Sequence, residues 1–326
     1  GEFLLSFGNV PSDETTDGLL KNPLGIEVTS SGDIIVVDSG NNQVQVFKTD
    51  GTFLRRWGTY GRSVSQFNTP VGAALDTESN IYISDRLNNR IQVFDPNGKY
   101  LRGWGSSGSA QGSMNGPTDL AISNDGHVYV LDSNNQRVEV FDTQGIFKST
   151  WGNRGTDPGQ FYNPVSITIN TSGEILVSEI TNRRIQIFSP DGQVLSQWLG
   201  GDHQFNDPSS ITKDTEGNLY VADSGNNRIH AVAKSGQILH IWGIKGSGNG
   251  QFNGLGTILT DGSGHIYTVD VFNHRIQVFS VPEGVFLTAI GANGQGPGQF
   301  ALPRTLALDN DGTVYVGDTL NQRVQK

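Results

Sequence analysis

Short apolar runs rich in β-branched and aromatic residues, each bounded by Gly, Asn, Asp or Pro, follow one another along the whole chain. Such runs read as β-strands, and no stretch keeps the apolar period of an amphipathic helix. The runs come in sets of four. One set is Pro70-Val71-Gly72-Ala73-Ala74-Leu75-Asp76, Ile81-Tyr82-Ile83-Ser84-Asp85, Arg90-Ile91-Gln92-Val93-Phe94-Asp95 and Tyr100-Leu101-Arg102-Gly103-Trp104. Between runs, Asn97-Gly98, Asp125-Gly126 and Asp191-Gly192 supply the positive φ that tight hairpin turns need.

The set is written seven times. The second run of each closes on an acid, at Asp38, Asp85, Asp132, Glu179, Asp223, Asp270 and Asp318, with spacings of 47, 47, 47, 44, 47 and 48 residues. Three residues further on stands an asparagine: Asn41, Asn88, Asn135, Asn182, Asn226, Asn273 and Asn321. Five residues after the acid stands arginine in six repeats (Arg90, Arg137, Arg184, Arg228, Arg275, Arg323), with Gln43 in the first. All five tryptophans, Trp57, Trp104, Trp151, Trp198 and Trp242, share one repeat position. A fixed period of this kind outranks the length of 326 residues, which alone would suggest about two domains.

Four-stranded antiparallel units repeated radially predict an all-β, seven-bladed β-propeller. The seventh repeat stops at Arg323-Val324-Gln325-Lys326, without a fourth strand, while Gly1-Glu2-Phe3-Leu4-Leu5-Ser6-Phe7-Gly8 matches that missing strand. The N-terminal strand is therefore expected to close the last blade and cover its edge. The expected blade cores are 22–58, 69–105, 116–152, 163–200, 207–243, 254–291, and 302–326 with 1–8, in one domain spanning 1–326.

The segments Asn273-His274-Arg275-Ile276-Gln277-Val278-Phe279 and Asn89-Arg90-Ile91-Gln92-Val93-Phe94 resemble the signature of NHL repeats. The resemblance runs through the whole chain and implies a β-propeller, often six-bladed, so seven copies depart from the common number. It implies several settings: the substrate-binding end of tripartite-motif proteins, some of which bind RNA; extracellular sensor domains of bacterial kinases; a zinc-dependent peptide-amidating lyase; and bacterial envelope or secreted proteins. Such a family fixes fold better than function.

Composition narrows the field. The 43 glycines lack a three-residue period, which excludes collagen, and many fall at repeated turn positions. With no cysteine there is neither a disulfide scaffold nor a thiolate metal site. No run of about 18 apolar residues exists to span a membrane. The 22 basic and 32 acidic residues give a net charge of -10, which argues against a nucleic-acid partner.

Strand parity puts the loops after strands two and four on one face, the top, together with the long connections from Gly105 to Pro117 and from Gly152 to Pro164. Residues identical across blades serve every blade and are read as structural: the acid–arginine pairs bracing a turn, the tryptophans packing between sheets, and the repeated Gln-Phe pairs anchoring loops. Residues that break the repeat are free for function. In the turn after the acid these are Arg86, Leu87, Ile180, Val271, Phe272 and Leu320; the inter-blade loops add Tyr60, Arg62, Arg154, Tyr162, His203 and Lys245. Aromatic, arginine and exposed aliphatic side chains together are the composition of a recognition surface. After the proline of strand one, Asp119, Ser166, Ser210, Thr257, Thr305 and Arg304 stand where the first two blades have Gly25 or Gly72 or a neighbouring residue. Glu27, Lys213 and Thr260 place further polar groups in strand one, where channel lining and a bridge between blades are both open. The candidate binding set is Tyr60, Arg62, Arg86, Leu87, Asp119, Arg154, Tyr162, Ile180, Lys213, Lys245, Val271, Phe272, Arg304 and Leu320.

Enzyme chemistry ranks second. The six histidines (His127, His203, His230, His240, His265, His274) occupy too few equivalent positions for a three-ligand zinc site, so the lyase carry-over fails residue by residue. Glu27 and Asp119 make a thin calcium set. The Gly-rich stretches at Gly246–Gly250 and Gly291–Gly298 lie between strands, with no helix to receive a phosphate. RNA binding would draw on Arg62, Arg86, Arg154, Arg183, Lys245 and Arg304, against the net charge. The expectation is a non-catalytic recognition domain without metal or cofactor, monomeric and part of a longer polypeptide, binding a protein, peptide or glycan. Its alternative is a metal-assisted lyase or hydrolase at the channel mouth. The Cys-free composition and the Ser/Thr/Asn/Gln-rich surface lean toward a bacterial envelope or secreted setting.

Overall fold

The structure is a computed structural model that describes residues 2–8, 17–201, 203–309 and 311–326; Gly1, within the expected closing strand, lies outside them. The chain forms seven four-stranded antiparallel sheets, the blades of an all-β, seven-bladed β-propeller. The second blade shows the plan, with strands Pro70–Leu75, Ile81–Asp85, Arg90–Phe94 and Tyr100–Trp104 in sequence order. Strand one meets strand two with Pro70 opposite Asp85, and the register then shifts before Ala73 meets Ile83. Proline is tolerated there because it lies at the start of the strand, where a missing N–H disturbs the ladder least. Between strands two and three, Asp85 pairs with Arg90 across a single 3₁₀ turn, Arg86–Asn88, which ends on Asn89 in the left-handed region at φ 57°.

The last blade combines Pro303–Leu308, Val314–Asp318 and Arg323–Gln325 with the N-terminal strand, which closes it. That closing strand is shorter than its sequence match: only Ser6–Phe7 pair in register, with Gln325 and Val324. On the N-terminal side of Ser6, the Leu4 and Leu5 amides donate to the Lys326 carbonyl and the Lys326 amide donates to the Leu5 carbonyl, which continues the pairing.

Two compact units make up the chain, Leu4–Arg154 with Ala307–Lys326, and Gly1–Phe3 with Gly155–Leu306. In both, middle strands such as Ile34–Asp38 and Leu219–Asp223 are buried along their whole length, while outer strands such as Tyr100–Trp104 are half-exposed. A sheet covered on both faces tolerates apolar residues at every position, which is why the middle strands read as continuous apolar runs.

The first unit has cores around Ile34, Val36, Phe47 and Tyr315, and around Val37, Val44, Phe67, Ile83 and Phe94. The second has them around Tyr220, Phe252, Ile258 and Phe279, and around Leu176, Ile185, Phe205 and Val221. Each such fully buried side chain contributes about 1.5–3 kcal/mol relative to exposure.

Three of the tryptophans lie against a ring of the next blade. Trp57 sits 5.3 Å from the Phe94 ring of the next blade, Trp104 5.5 Å from Phe141, and Trp242 6.1 Å from Phe279. The buried phenylalanines Phe67, Phe161, Phe205, Phe252 and Phe300 of the Gln-Phe pairs pin the inter-blade loops into the core.

Candidate functional site

The side chains repeated in every blade form a closed network. Asp85 is fully buried and takes bonds from the Asn68 amide at 2.7 Å, from Asn88 Nδ2, from Arg90 Nε at 2.8 Å and from Gln92 Nε2. Arg90 then reaches back with Nη1 to the Arg62 carbonyl and with Nη2 to those of Ser63 and Gln66, clamping the loop that precedes its own blade. Asp132–Arg137 and Asp270–Arg275 repeat the clamp, as does Glu179–Arg184. Burial pushes the carboxyls of Asp85 and Asp132 above their ordinary value in spite of these donors. With its aspartate and arginine engaged internally, the network holds the loops and leaves the variable positions to meet solvent.

In the Gly155–Leu306 unit, three of the candidate residues come together. Val271, Phe272 and Arg304 line a cleft of about 450 Å³ with Asp207, Ser209, Ser210, Ser224, Thr257 and the segment Gly254-Leu255-Gly256. Phe272 is 58% exposed and Arg304 is exposed. The cleft exists because the sixth blade breaks the repeat twice: it has leucine, not proline, at the start of strand one, and glycine on both sides of it. A Cβ on Gly254 would stand 2.4 Å from Phe272 Cδ2, and one on Gly256 3.1 Å from Val271 Cγ2, so the two glycines form the floor on which these side chains rest.

The wall is hydroxylated. Ser209 and Ser224 share a 2.5 Å hydrogen bond, Ser224 also donates to the Leu255 carbonyl, and Thr257 donates to the carbonyl of Arg304 at 2.9 Å. Asp207 Oδ1 is buried without a hydrogen-bond partner, and its carboxyl is held above the ordinary range by burial and by the neighbouring Asp223.

Elsewhere in that unit the candidates stand apart. The Tyr162 amide donates to Glu179 Oε2 and the Ile180 amide to the Asn163 carbonyl, while Lys245 lies in a short parallel pairing opposite Phe252. Lys213 bonds through Nζ to the Ile169 carbonyl of the preceding blade, and burial pulls its pKa down. A bridge between blades, one of the two explanations for its presence in strand one, is thus what this geometry contains.

In the other unit, Arg62 and Leu87 line a second cleft of about 390 Å³ with Asn88, Asn89, Arg90, Gly105 and Ser107. Tyr60, Leu87 and Leu320 are 71%, 53% and 62% exposed, and Arg86 and Arg154 are exposed beside them in sequence loops of the same type. Asp119, inside the strand Pro117–Ile122, accepts from the neighbouring Leu120 amide, and its charge adds to burial in pushing the Glu27 carboxyl up to about 7.

Sequence reading passed over Asp207, Ser209, Ser224, Gly254 and Gly256. The available signal was the replacement of the strand-one proline by Leu255 between two glycines. Among the described residues no helix is long and apolar enough to cross a membrane.

The NHL repeat family pattern matches residues 20–47, 114–141, 205–232 and 300–326. One segment of 49 residues is 51% identical to the E3 ubiquitin-protein ligase TRIM71 of Gallus gallus; it makes up 15% of this chain and 5% of that ligase. Among solved structures, streptogramin B lyase superposes with a TM-score of 0.76 at 14% identity, covering 99% of this chain and 96% of that one. A catalytically inactive virginiamycin B lyase from Staphylococcus aureus with quinupristin gives 0.74 at 15% identity, covering 99% and 98%. Kuenenia stuttgartiensis hydrazine synthase gives 0.71 at 12% identity, covering 98% and 99%. At these identities the structural likeness is one of fold. The second, fourth and sixth blades, which the family pattern does not match, carry an acid, an asparagine and an arginine at the same repeat positions as the third, fifth and seventh, which it does; the chain is an NHL-repeat β-propeller.

Proposed function

We propose that residues 1–326 form one non-catalytic recognition domain that binds a protein, peptide or glycan through the loops following strands two and four. The observation that carries this is the cleft at Phe272: residues from three successive blades that depart from the repeat, Asp207, Val271, Phe272 and Arg304, converge on it. A large exposed aromatic beside an exposed arginine is the make-up of an interface anchor, and nothing in blade packing requires either. Peptide and glycan arrays probed with the wild type and with a triple variant, L87D, I180D and F272D, test the reading. The variant is expected to fold with an unchanged melting temperature and to lose the wild-type binding pattern. An identical pattern would remove these loops from consideration.

A metal-assisted lyase or hydrolase is the competing reading, favoured by one observation, the Glu27–Asp119 carboxylate pair with Glu27 raised to about 7. Metal analysis of the purified protein separates the two. Stoichiometric zinc or calcium that is lost in E27Q and D119N would favour the enzyme.

A further inference from the structure

We infer that the cleft at Phe272 takes a carboxylated sugar, a hexuronate-type residue whose carboxylate lies on Arg304 and whose apolar ring face lies on Phe272. This rests on the recognition reading and gives it a ligand class.

The first argument is charge. Arg304 is exposed, and its guanidinium has neither an ion pair nor a hydrogen bond among the described residues. An unpaired guanidinium at a cleft is a fork for a carboxylate, which it can bind through two parallel hydrogen bonds. The net charge of -10 does not describe the loop side of this unit. Arg183, Lys245 and Arg304 are exposed there, against a single exposed carboxylate, Asp157, among the described residues. The exposed acids Asp191, Glu216 and Glu283 lie instead on the hairpin turns at the other ends of the strands.

The second argument is shape and hydrogen bonding. The backbone fixes Phe272, since its amide donates to the Asn253 carbonyl at 3.0 Å and the Val271 amide to that of Gly254 at 3.1 Å. With Gly254 beneath it, the ring is presented as a flat apolar platform. Around that platform stand the hydroxyls of Ser209, Ser210 and Thr257 and the Asp207 carboxyl, which is short of donors. A pyranose ring has one face of C–H groups and a rim of hydroxyls, so it covers Phe272 while donating to the rim. An aspartate or glutamate side chain offers the carboxylate but no face. A nucleic acid would need successive stacking platforms and a cation for each phosphate, and this cleft has one of each.

The test is calorimetric titration with tri-galacturonate, its methyl ester, hexaglutamate and a single-stranded oligonucleotide. Wild-type protein should bind tri-galacturonate, and the methyl ester about tenfold more weakly or worse. R304Q should weaken tri-galacturonate by about tenfold or more, and F272A by several-fold. K234Q, which removes the same charge from an exposed turn on the other side, should bind like the wild type. Both site variants replace exposed side chains, and their melting temperatures serve as the folding control.

The inference is overturned if tri-galacturonate does not bind, if its ester binds equally well, or if R304Q matches K234Q. Binding of hexaglutamate or the oligonucleotide in its place, sensitive to R304Q, would overturn the sugar while leaving recognition at this cleft intact. No binding by any probe, with an array pattern indifferent to the triple substitution L87D, I180D and F272D, would remove both.

Discussion

Glu139 Oε1 lies 2.7 Å from Arg137 Nη2, with the glutamate fully buried, at the position where five other blades carry glutamine. The contact is one of charge and is not aligned as a hydrogen bond. In the second blade the glutamine at this position, Gln92, donates to both the loop carbonyl of Gln66 and the acid Asp85. Glu139 can donate to neither when ionised. Burial, reinforced by Asp132, pushes its carboxyl up to about 7, against the opposing pull of Arg137 and the Gly112 amide.

A carboxyl raised in the folded state binds its proton more tightly there than in the unfolded chain. Stability should therefore rise as pH falls from about 7 toward 4.5, by at most about 1.4 kcal/mol per unit. E139Q should stabilise the protein at pH ~8 by about 1–2 kcal/mol and flatten its pH dependence in that window. Urea unfolding of both proteins at pH ~8 and ~5 checks this. A difference between the two that is the same at both pH values would show that Glu139 does not titrate.

The fifth blade breaks the same column with His230, whose Nε2 lies 3.2 Å from Asp223 Oδ2 while Nδ1 is buried without a partner. Burial lowers the histidine pKa and outweighs the pull of Asp223. The sign is opposite to that of Glu139: the contribution is complete above the unfolded value near 6.5 and is lost as pH falls below it. H230Q should remove that loss and add about 1 kcal/mol near neutrality, because glutamine can donate to both the Gln204 carbonyl and Asp223. Midpoints of unfolding for the two proteins across pH ~7.5 to ~5 decide it, and parallel curves would count against the argument.

The contrast between these two blades and the rest shows what a sequence can disclose. Blade number, strand order and the acid–arginine pairs were legible because each blade solves the same problem, a buried carboxylate that must hold a loop, with the same residues. His230 stood out as a substituted glutamine; Glu139 did not, because a glutamate so close to glutamine in shape hides its burial. The cleft was less legible still. Val271, Phe272 and Arg304 were visible as breaks in the pattern, but their meeting with Asp207 depends on three blades packing side by side and on two glycines leaving room beneath a ring. Lys213 read as polar in strand one; that its ammonium would turn to the carbonyl of the neighbouring blade is a matter of distance, which spacing along the chain does not encode.

The arginine clamp predicts graded losses. R90A would leave Asp85 buried without its counter-charge and release three loop carbonyls, a loss of about 3–5 kcal/mol. R90Q should lose less, because the first blade already works with glutamine: Gln43 Nε2 donates to Asp38 Oδ2 at 2.8 Å. Neither variant can span to the carbonyls of Arg62 and Ser63. The loop amides of Gly61 and Phe67, bonded to Phe67 and Thr59, should therefore exchange hydrogen faster in both. Equal protection of those two amides in wild type and R90Q would mean that the loop holds itself.

Two hairpin glycines isolate the contribution of a tryptophan. Gly98 and Gly126 adopt nearly the same backbone, at φ 83° and 86°, so alanine at either carries a similar left-handed strain of about 1 kcal/mol. Their surroundings differ. A Cβ at Gly126 would meet nothing nearer than Thr143 Cγ2 at 3.7 Å, whereas one at Gly98 would fall 2.4 Å from Cε3 of Trp57 in the preceding blade. G98A should therefore be more destabilising than G126A by about 1–3 kcal/mol, the price of displacing a packed indole. Adding W57A should erase most of that excess, since the two positions are in contact and their effects will not add. Denaturant titrations of the four variants, G126A, G98A, W57A and G98A/W57A, measure the coupling directly. Strict additivity of the last pair would show that the turn and the tryptophan do not bear on each other, and that the repeated Trp–Gly contact is not what sets the spacing between blades.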